Sequence, residues 1–215
     1  MARFAMITEA DARMLPEGST VELLPKGHIT PLAADTLRDR RITVIRADQV
    51  VDGDGADLVP VADVRRIVVG SDHTGVALKQ HLVMALRGRG LTVQAVGPEG
   101  AVPVAADYPD IAEQVGLAVV RKEADAGIVI DGAGLGSTMA ANKVAGVRAA
   151  LCFNETLARY ARQHNGANVL ALGASMVSPG DALIIVETFL ATSMTEPRYI
   201  RRLLKLQRLD RTRSG

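Results

Sequence analysis

Tryptophan is missing from the 215 residues, and phenylalanine and tyrosine number only 3 each, so aromatic residues make up 3% of the chain. That poverty excludes the base-stacking platforms of single-strand nucleic-acid binders and aromatic sugar-binding surfaces. One cysteine, Cys152, excludes an internal disulfide framework and a cysteine-built zinc centre, and it suits a reducing cytoplasm. The 4 histidines, at positions 28, 73, 81 and 164, are too scattered for a metal-ligand pattern, so no metal is expected. An excess of charge of one sign is lacking too. With 25 Lys and Arg against 24 Asp and Glu the net charge is +1, which leaves no footprint for nucleic acid or a membrane surface. No apolar run reaches the ~20 residues a bilayer span requires. The opening MARFAMITEADAR acquires acidic residues too early for a signal peptide. What is present, 48% hydrophobic and 23% charged residues, is ordinary globular usage. The expectation is a cytoplasmic protein of one domain plus an extension, or of two small domains.

Along the chain, the first sixty residues and the remainder read differently. Thr8 and Asp11 have capping-box spacing ahead of a short helix that LPEGS ends. VELL (21–24) and ITVI (42–45) read as strands, and Thr30-Pro31 opens a helix over LAADTLRDRR. DGDGAD (52–57) reads as a linker, which makes residues 1–60 an N-terminal extension and residues 61–215 the main domain. So small an extension is expected to be marginal or to lean on another surface.

From Arg66 onward the alternation is regular. RIVVG (66–70), LTVQAV (91–96), GIVI (127–130), VRAALCF (147–153) and NVLAL (168–172) read as strands. Between them lie helical stretches such as 76–90, where Val76, Leu78, Leu82, Val83 and Leu86 recur at helical spacing, Pro109 to Val120, and ETLARYARQ (155–163). Helices over 179–192 and 197–209 close the chain. Five buried-type strands alternating with helices predict an α/β fold with a doubly wound parallel sheet covered on both faces. In such sheets ligands lie beyond the carboxyl ends of the strands, so the residues just after strands should carry the chemistry.

GSDHTG (70–75) follows the first of these strands with P-loop glycine spacing. Val76-Ala77 stand where a Lys–Ser/Thr pair would grip phosphate and magnesium, so a Walker-type NTPase is excluded. What remains is Asp72 beside His73, either a helix cap with a backbone-bound histidine or a functional pair. In DGAGLGS (131–137), three glycines let the backbone approach a ligand and present N–H groups as a cradle for an anion. Asp131, next to those donors, is either a bridge to them or a base. ARQHNGAN (161–168) sets His164 and Asn165 at a helix-to-strand junction, with Gly166 as a helix cap. Arg198 and Arg202, four apart, form either a solvated basic face or a two-guanidinium grip on phosphate. Cys152 reads as a small buried hydrophobe and His81 as an ordinary helix residue.

Together, GSDHTGVALK, ADYPDIAEQV, ADAGIVIDGAGLGSTMAANKVAGVRAAL, ARQHNGANVLALGA and PRYIRR resemble the type B ribose-5-phosphate isomerases and the related galactose-6-phosphate isomerase subunits. The resemblance runs from about Arg66 to about Leu206. It implies a Rossmann-like fold and an aldose–ketose isomerase that works through an enediol without metal or cofactor. The substrate implied is a sugar phosphate, ribose 5-phosphate foremost, bound by a homodimer or homotetramer whose active sites are shared between subunits. Asp72 and His164 would open the sugar ring and handle protons. His73, Arg198 and Arg202 would anchor phosphate and substrate, and Tyr108 and Asn165 would line the pocket. The backbone of Gly132, Ala133, Gly134 and Gly136 would form the oxyanion cradle.

The departures from the family are equally informative. Many members carry a cysteine base at the position of Asp131, others a glutamate base at that of Ser137, and a threonine or serine is usual at that of Ala133. Asp131 is therefore expected to be the substitute base, since a carboxylate is ionised at neutral pH whereas a thiol must first be activated. The loop 97–109 departs as well, and Tyr199 stands where a histidine is frequent, which leaves a tetrose, deoxypentose or hexose phosphate as other substrates. In the extension, GHITPLAADTLRDRRITVI resembles a segment of enzymes packaged in bacterial microcompartments. That implies docking to shell or cargo proteins through residues 1–60, and a location inside such a compartment. Two other readings stand beside the isomerase. One is a nucleotide-binding module in which Glu155, about twenty residues beyond GAGLG, holds a ribose. The other is a catalytically silent scaffold member of the family.

Overall fold

The two kinds of sequence fold into two compact units, Met1–Asp54 and Gly55–Gly215. The computed structural model describes residues 2–46, 58–194 and 197–212, and the linker expected at 52–57 lies outside the described residues.

The small unit contains β1 (Arg3–Ile7), α1 (Glu9–Met14), β2 (Thr20–Ile29), α2 (Pro31–Asp39) and β3 (Thr43–Arg46). Thr8 and Asp11 form the expected reciprocal cap. The Asp11 carboxylate accepts from the Thr8 amide at 2.8 Å, and the Thr8 hydroxyl accepts from the Asp11 amide at 3.4 Å. Thr30 caps α2 ahead of Pro31. The strands are parallel in the order β1-β2-β3 and bury Ile7, Val21, Leu23, Leu37 and Ile42 in a core of their own. β1 has no counterpart in the sequence reading, because RFAMI has one β-branched residue and no clean alternation; its pairing with β2 supplies what propensity does not.

The larger unit follows the alternation of the sequence. In order come β4 (Arg66–Ser71), a 3-10 turn (His73–Gly75), α3 (Val76–Gly88), β5 (Thr92–Val96), α4 (Tyr108–Val120), β6 (Ala126–Asp131) and α5 (Leu135–Ala141). They are followed by β7 (Ala149–Leu151), α6 (Glu155–Asn165), β8 (Val169–Gly173), α7 (Pro179–Ala191) and α8 (Pro197–Thr212). All five strands are parallel, in the order β5-β4-β6-β8-β7. Alternate residues of each strand point to opposite faces. Ile67, Val69, Ile128, Ile130, Leu170 and Leu172 pack under α3, α6 and α7. Val68, Val129, Val169 and Ala171 pack under α4 and α5. The doubly wound parallel sheet expected from the sequence is therefore present. β7 is shorter than the run 147–153, because it is the sheet's outer strand and pairs with β8 alone.

Strand order selects where a ligand can enter. From β4 the chain goes outward to β5, then crosses back to lay β6 on the other flank of β4. The loops leaving β4 and β6 at their carboxyl ends diverge to opposite sides and open a crevice between them. Those two loops are GSDHTG and DGAGLG.

Candidate active site

At the carboxyl end of β4, Asp72 starts the 3-10 turn. Its Oδ1 accepts from the Thr74 amide (2.8 Å), the Thr74 hydroxyl (2.6 Å) and the Gly75 amide (3.2 Å). Its Oδ2 accepts no hydrogen bond among the described residues, although the residue is only 6% exposed. Asp72 is thus cap and functional candidate at once, one oxygen for each. The Asp72 amide donates to the Ile130 carbonyl at 3.1 Å, which ties this turn to the end of β6. His73 is exposed, and its Nδ1 lies 3.2 Å from the Ala106 carbonyl. Since the carbonyl can only accept, Nδ1 carries the proton in that contact.

At the end of β6, Asp131 turns its carboxylate back into its own loop. Oδ1 accepts from the Ala133 amide at 2.9 Å and from the Gly134 amide, and Oδ2 accepts from the Ser137 amide at 2.7 Å. Gly134 takes a left-handed conformation, φ 79°, which brings these amides together ahead of α5. Two expectations change. Asp131 does not stand as an unengaged base, since three of its roughly four acceptor positions are filled. Nor is the whole cradle open to substrate, since the amides of Ala133 and Gly134 already serve Asp131. The physical reason is that a carboxylate two to six residues from unpaired amides is the nearest available acceptor, and Asp131 itself is buried at 5% exposure, as are the Gly134 and Ser137 donors. The first-turn amides of Leu135 and Gly136 have no intrahelical acceptor.

Tyr108, the first residue of α4, closes this edge. Its ring lies so near Gly136 that a Cβ there would sit 2.7 Å from Tyr108 Cζ. The loop leading to Tyr108 is held by a residue the sequence reading passed over. Lys79 of α3 is buried, and its Nζ donates to the carbonyls of Val96 (2.8 Å), Gly97 (3.2 Å) and Pro98 (2.7 Å). Burial pushes its pKa below the ordinary lysine value, and Glu99 nearby opposes that shift. The signal was legible: Lys79 falls on the same helical stripe as Leu82, Val83 and Leu86, where an apolar residue belongs. Cys152 is buried in the core, and burial pushes its thiol up to about 12, which fits the expected inert hydrophobe.

His164 and Asn165 end α6, capped by Gly166 at φ 56°. The His164 ring lies between Tyr160 and Tyr199, with centroids 4.6 Å away on each side. The Asn165 side-chain amide donates to the Tyr160 carbonyl at 3.2 Å. Two arginines from the body of the fold brace this corner. Arg148 donates to the carbonyls of Gly166 (2.7 Å) and Leu58 (2.9 Å), while Arg162 donates to those of Ala167 (2.9 Å) and Val61 (2.8 Å). Burial, with Arg148 alongside, lowers the Arg162 pKa to about 10. On α8, the Arg202 guanidinium lies over the Tyr199 ring, 5.7 Å from its centroid. Arg198 is on the same helix, and its side chain lies outside the described residues.

One chain does not unite these two groups. α6 begins beyond the carboxyl end of β7 and runs back to the amino end of β8, so His164 and Asn165 lie at the opposite edge of the sheet from Asp72, His73, Tyr108 and the 131–136 loop. β8 spans Val169–Gly173, which at ~3.3 Å per residue separates the edges by roughly 13 Å. A cavity of about 300 Å³ lies on the His164 side, beside Asn165, Arg148 and Leu203, and not over the carboxyl-edge group.

Residues 67–206 match the profile of the Ribose/Galactose Isomerase family. The chain is 38% identical over 150 residues to ribose-5-phosphate isomerase B of Escherichia coli, covering 70% of this chain and 99% of that one. Its fold is similar to that of Clostridium thermocellum ribose-5-phosphate isomerase B, with a TM-score of 0.66 and 42% identity over 69% of this chain and 99% of that one. It is also similar to the Mycoplasma genitalium enzyme solved with bound ribulose 5-phosphate, with a TM-score of 0.64, 39% identity, and coverage of 68% and 96%. Matched along nearly the full length of these relatives, the chain belongs to the ribose/galactose isomerase family, enzymes that interconvert aldose and ketose sugar phosphates.

Proposed function

We propose that this chain interconverts ribose 5-phosphate and ribulose 5-phosphate through an enediolate, in a site assembled from two copies of the chain. The observation that carries the proposal is the separation just described: the residues expected to form one isomerase site lie at opposite edges of one sheet. A second copy, turned to set its His164 edge against the carboxyl edge of the first, would complete the set. Exposed apolar side chains around the carboxyl edge, Leu135 (56%), Met139 (66%), Phe153 (57%) and Met176 (64%), support a surface covered by another copy.

In this reading His164 of one copy protonates the ring oxygen and opens the sugar, while Arg202 and His73 take the phosphate and neighbouring hydroxyls. Asp72 Oδ2, the carboxylate oxygen without a donor, moves the proton between C2 and C1. Asp131 holds the turn through its three amides, and the first-turn amides of α5 face the enediolate oxygen. Isomerisation by this route needs neither an electron acceptor nor an added group, since the proton taken from C2 is replaced by one delivered to C1 from the base, which exchanges with solvent, while the O2 hydroxyl proton passes to O1.

A coupled assay with ribose 5-phosphate on wild type and Asp72→Asn tests the proposal. Asparagine keeps Oδ1 for Thr74 and Gly75 and replaces only the unengaged oxygen, so the cap survives. Wild-type turnover with a ~10²–10⁴-fold loss in Asp72→Asn is expected. Turnover in heavy water should also place deuterium on the product carbon. A wild type without turnover would instead favour the silent-scaffold reading, for which the filled cradle is the supporting observation.

For the small unit we propose a docking role toward microcompartment proteins. It lies outside the family match and holds none of the site residues. Deleting residues 1–54 should abolish shell association in cells and spare turnover; unchanged association would end that proposal.

A further inference from the structure

Of the three tyrosines in the chain, two flank a single histidine. Tyr160 lies four residues before His164 on α6, so the helical repeat itself stacks them, with an interplanar angle of 15°. Tyr199 arrives from α8 and stacks at 24°. Two rings, each 4.6 Å from the same imidazole centroid, cannot share one face, so both faces are covered. Only the ring edge, with Nδ1 and Nε2, remains open to a sugar oxygen. Tyr199 is buried at 6% exposure, whereas Tyr160 is 49% exposed. The Arg202 guanidinium also lies over the Tyr199 ring, 5.7 Å from its centroid, so Tyr199 contacts both His164 and Arg202.

We propose that Tyr160 and Tyr199 are positioning residues that clamp the His164 imidazole edge-on to the sugar. Tyr199 in addition contacts both His164 and Arg202, and so sets the spacing between the proton-handling group and the phosphate anchor. This rests on the roles of His164 and Arg202 given above. An unclamped imidazole would turn about χ2, and catalysis that depends on a near-attack geometry falls ~100-fold for ~1 Å of misplacement. The effect of the clamp is on geometry, so a flat ring without a hydroxyl should serve almost as well.

The test uses the full chain with Tyr160→Leu, Tyr160→Phe, Tyr199→Leu and Tyr199→Phe, read in two ways. In steady-state isomerisation of ribose 5-phosphate, Tyr160→Leu is expected to lower kcat ~10–100-fold with little change in KM. Tyr199→Leu should lower kcat similarly and raise KM as well, because Arg202 loses its support. Phenylalanine at either position should recover most of the loss. In proton NMR, ring currents from two phenol rings hold the His164 ring protons upfield. Both leucine variants should move them downfield, and both phenylalanine variants should leave them close to wild type. Leucine variants with wild-type kcat overturn the positioning role, and so do phenylalanine variants that fall as far as leucine ones. His164 ring protons that do not move in the leucine variants overturn the clamp itself, whatever the kinetics. If the wild type turns over no ribose 5-phosphate, the substrate reading fails and the NMR comparison alone decides the clamp. Should Tyr199→Leu not fold, the exposed Tyr160→Leu carries both readings.

Discussion

Replacing Asp131 by asparagine is the sharpest perturbation of the glycine turn. The native carboxylate accepts from Ala133, Gly134 and Ser137 amides with 5% of the residue exposed, so each donor depends on it. Asparagine retains one acceptor oxygen and puts an NH₂ group where the other stood. With the oxygen toward Ala133 and Gly134, the Ser137 amide meets two hydrogens; flipped, the other two amides do. At least one buried charge-assisted bond is therefore lost and a donor left unpaired, a cost of ~1.5–3 kcal/mol. For a chain of this size each kcal/mol lowers the melting point by ~2–4 °C, so a fall of roughly 3–12 °C is expected. Thermal and urea denaturation followed by circular dichroism measure it. A midpoint within ~1 °C of wild type would refute the claim that these bonds hold the turn. Turnover should fall as well, because the turn carries the remaining amide donors. Loss of activity in this variant consequently does not identify a base, whereas loss in Asp72→Asn does.

Lys79→Met removes the buried donor to three carbonyls and should destabilise the chain by ~1.5–3 kcal/mol in urea denaturation, with Tyr108 more exposed to quenchers; equal stability would deny the lysine its role in holding the loop. Gly136→Ala places a Cβ 2.7 Å from Tyr108 Cζ, and since the ring can swing outward the expected result is a raised KM with little change in melting point. A crystal structure of that variant with Tyr108 unmoved would contradict it. Native Cys152 should resist a thiol reagent at pH 8 and react once the chain is unfolded. The sign of its pH effect follows from the same burial. Between the ordinary 9.0 and about 12 the folded thiol keeps a proton that the unfolded chain releases, so stability falls as pH rises through that window. Cys152→Ala should flatten that slope, and an unaltered slope would exclude the thiol as its source.

Much of this protein is written locally in the amino-acid order. The apolar runs at 66–70, 127–130 and 168–172, the first two rich in Val and Ile, and the helical stripes between them point to a parallel sheet with two helical layers, because strands buried on both faces carry apolar residues without alternation. The caps at Thr8, Thr30 and Gly166 are equally local, each being a side chain or glycine within a few residues of the groups it serves. Family membership was legible too, since the motifs keep their order. β1 was not, because pairing with β2, and not its own composition, makes it a strand. Nor could sequence decide between the two readings of Asp131: spacing puts a carboxylate near free amides, and only the turn geometry of Gly134 determines that three of them bind it. The burial of Lys79 and Arg162, charges on otherwise apolar stripes, depends on backbone carbonyls supplied by distant segments. That Asp72 follows a strand and His164 precedes one puts them at opposite ends of a parallel sheet, and the order of helices and strands already carries that; the stacking of Tyr199 on His164 and the closing of Tyr108 over Gly136 join segments far apart in the chain, and only the packing of the assembled fold decides them.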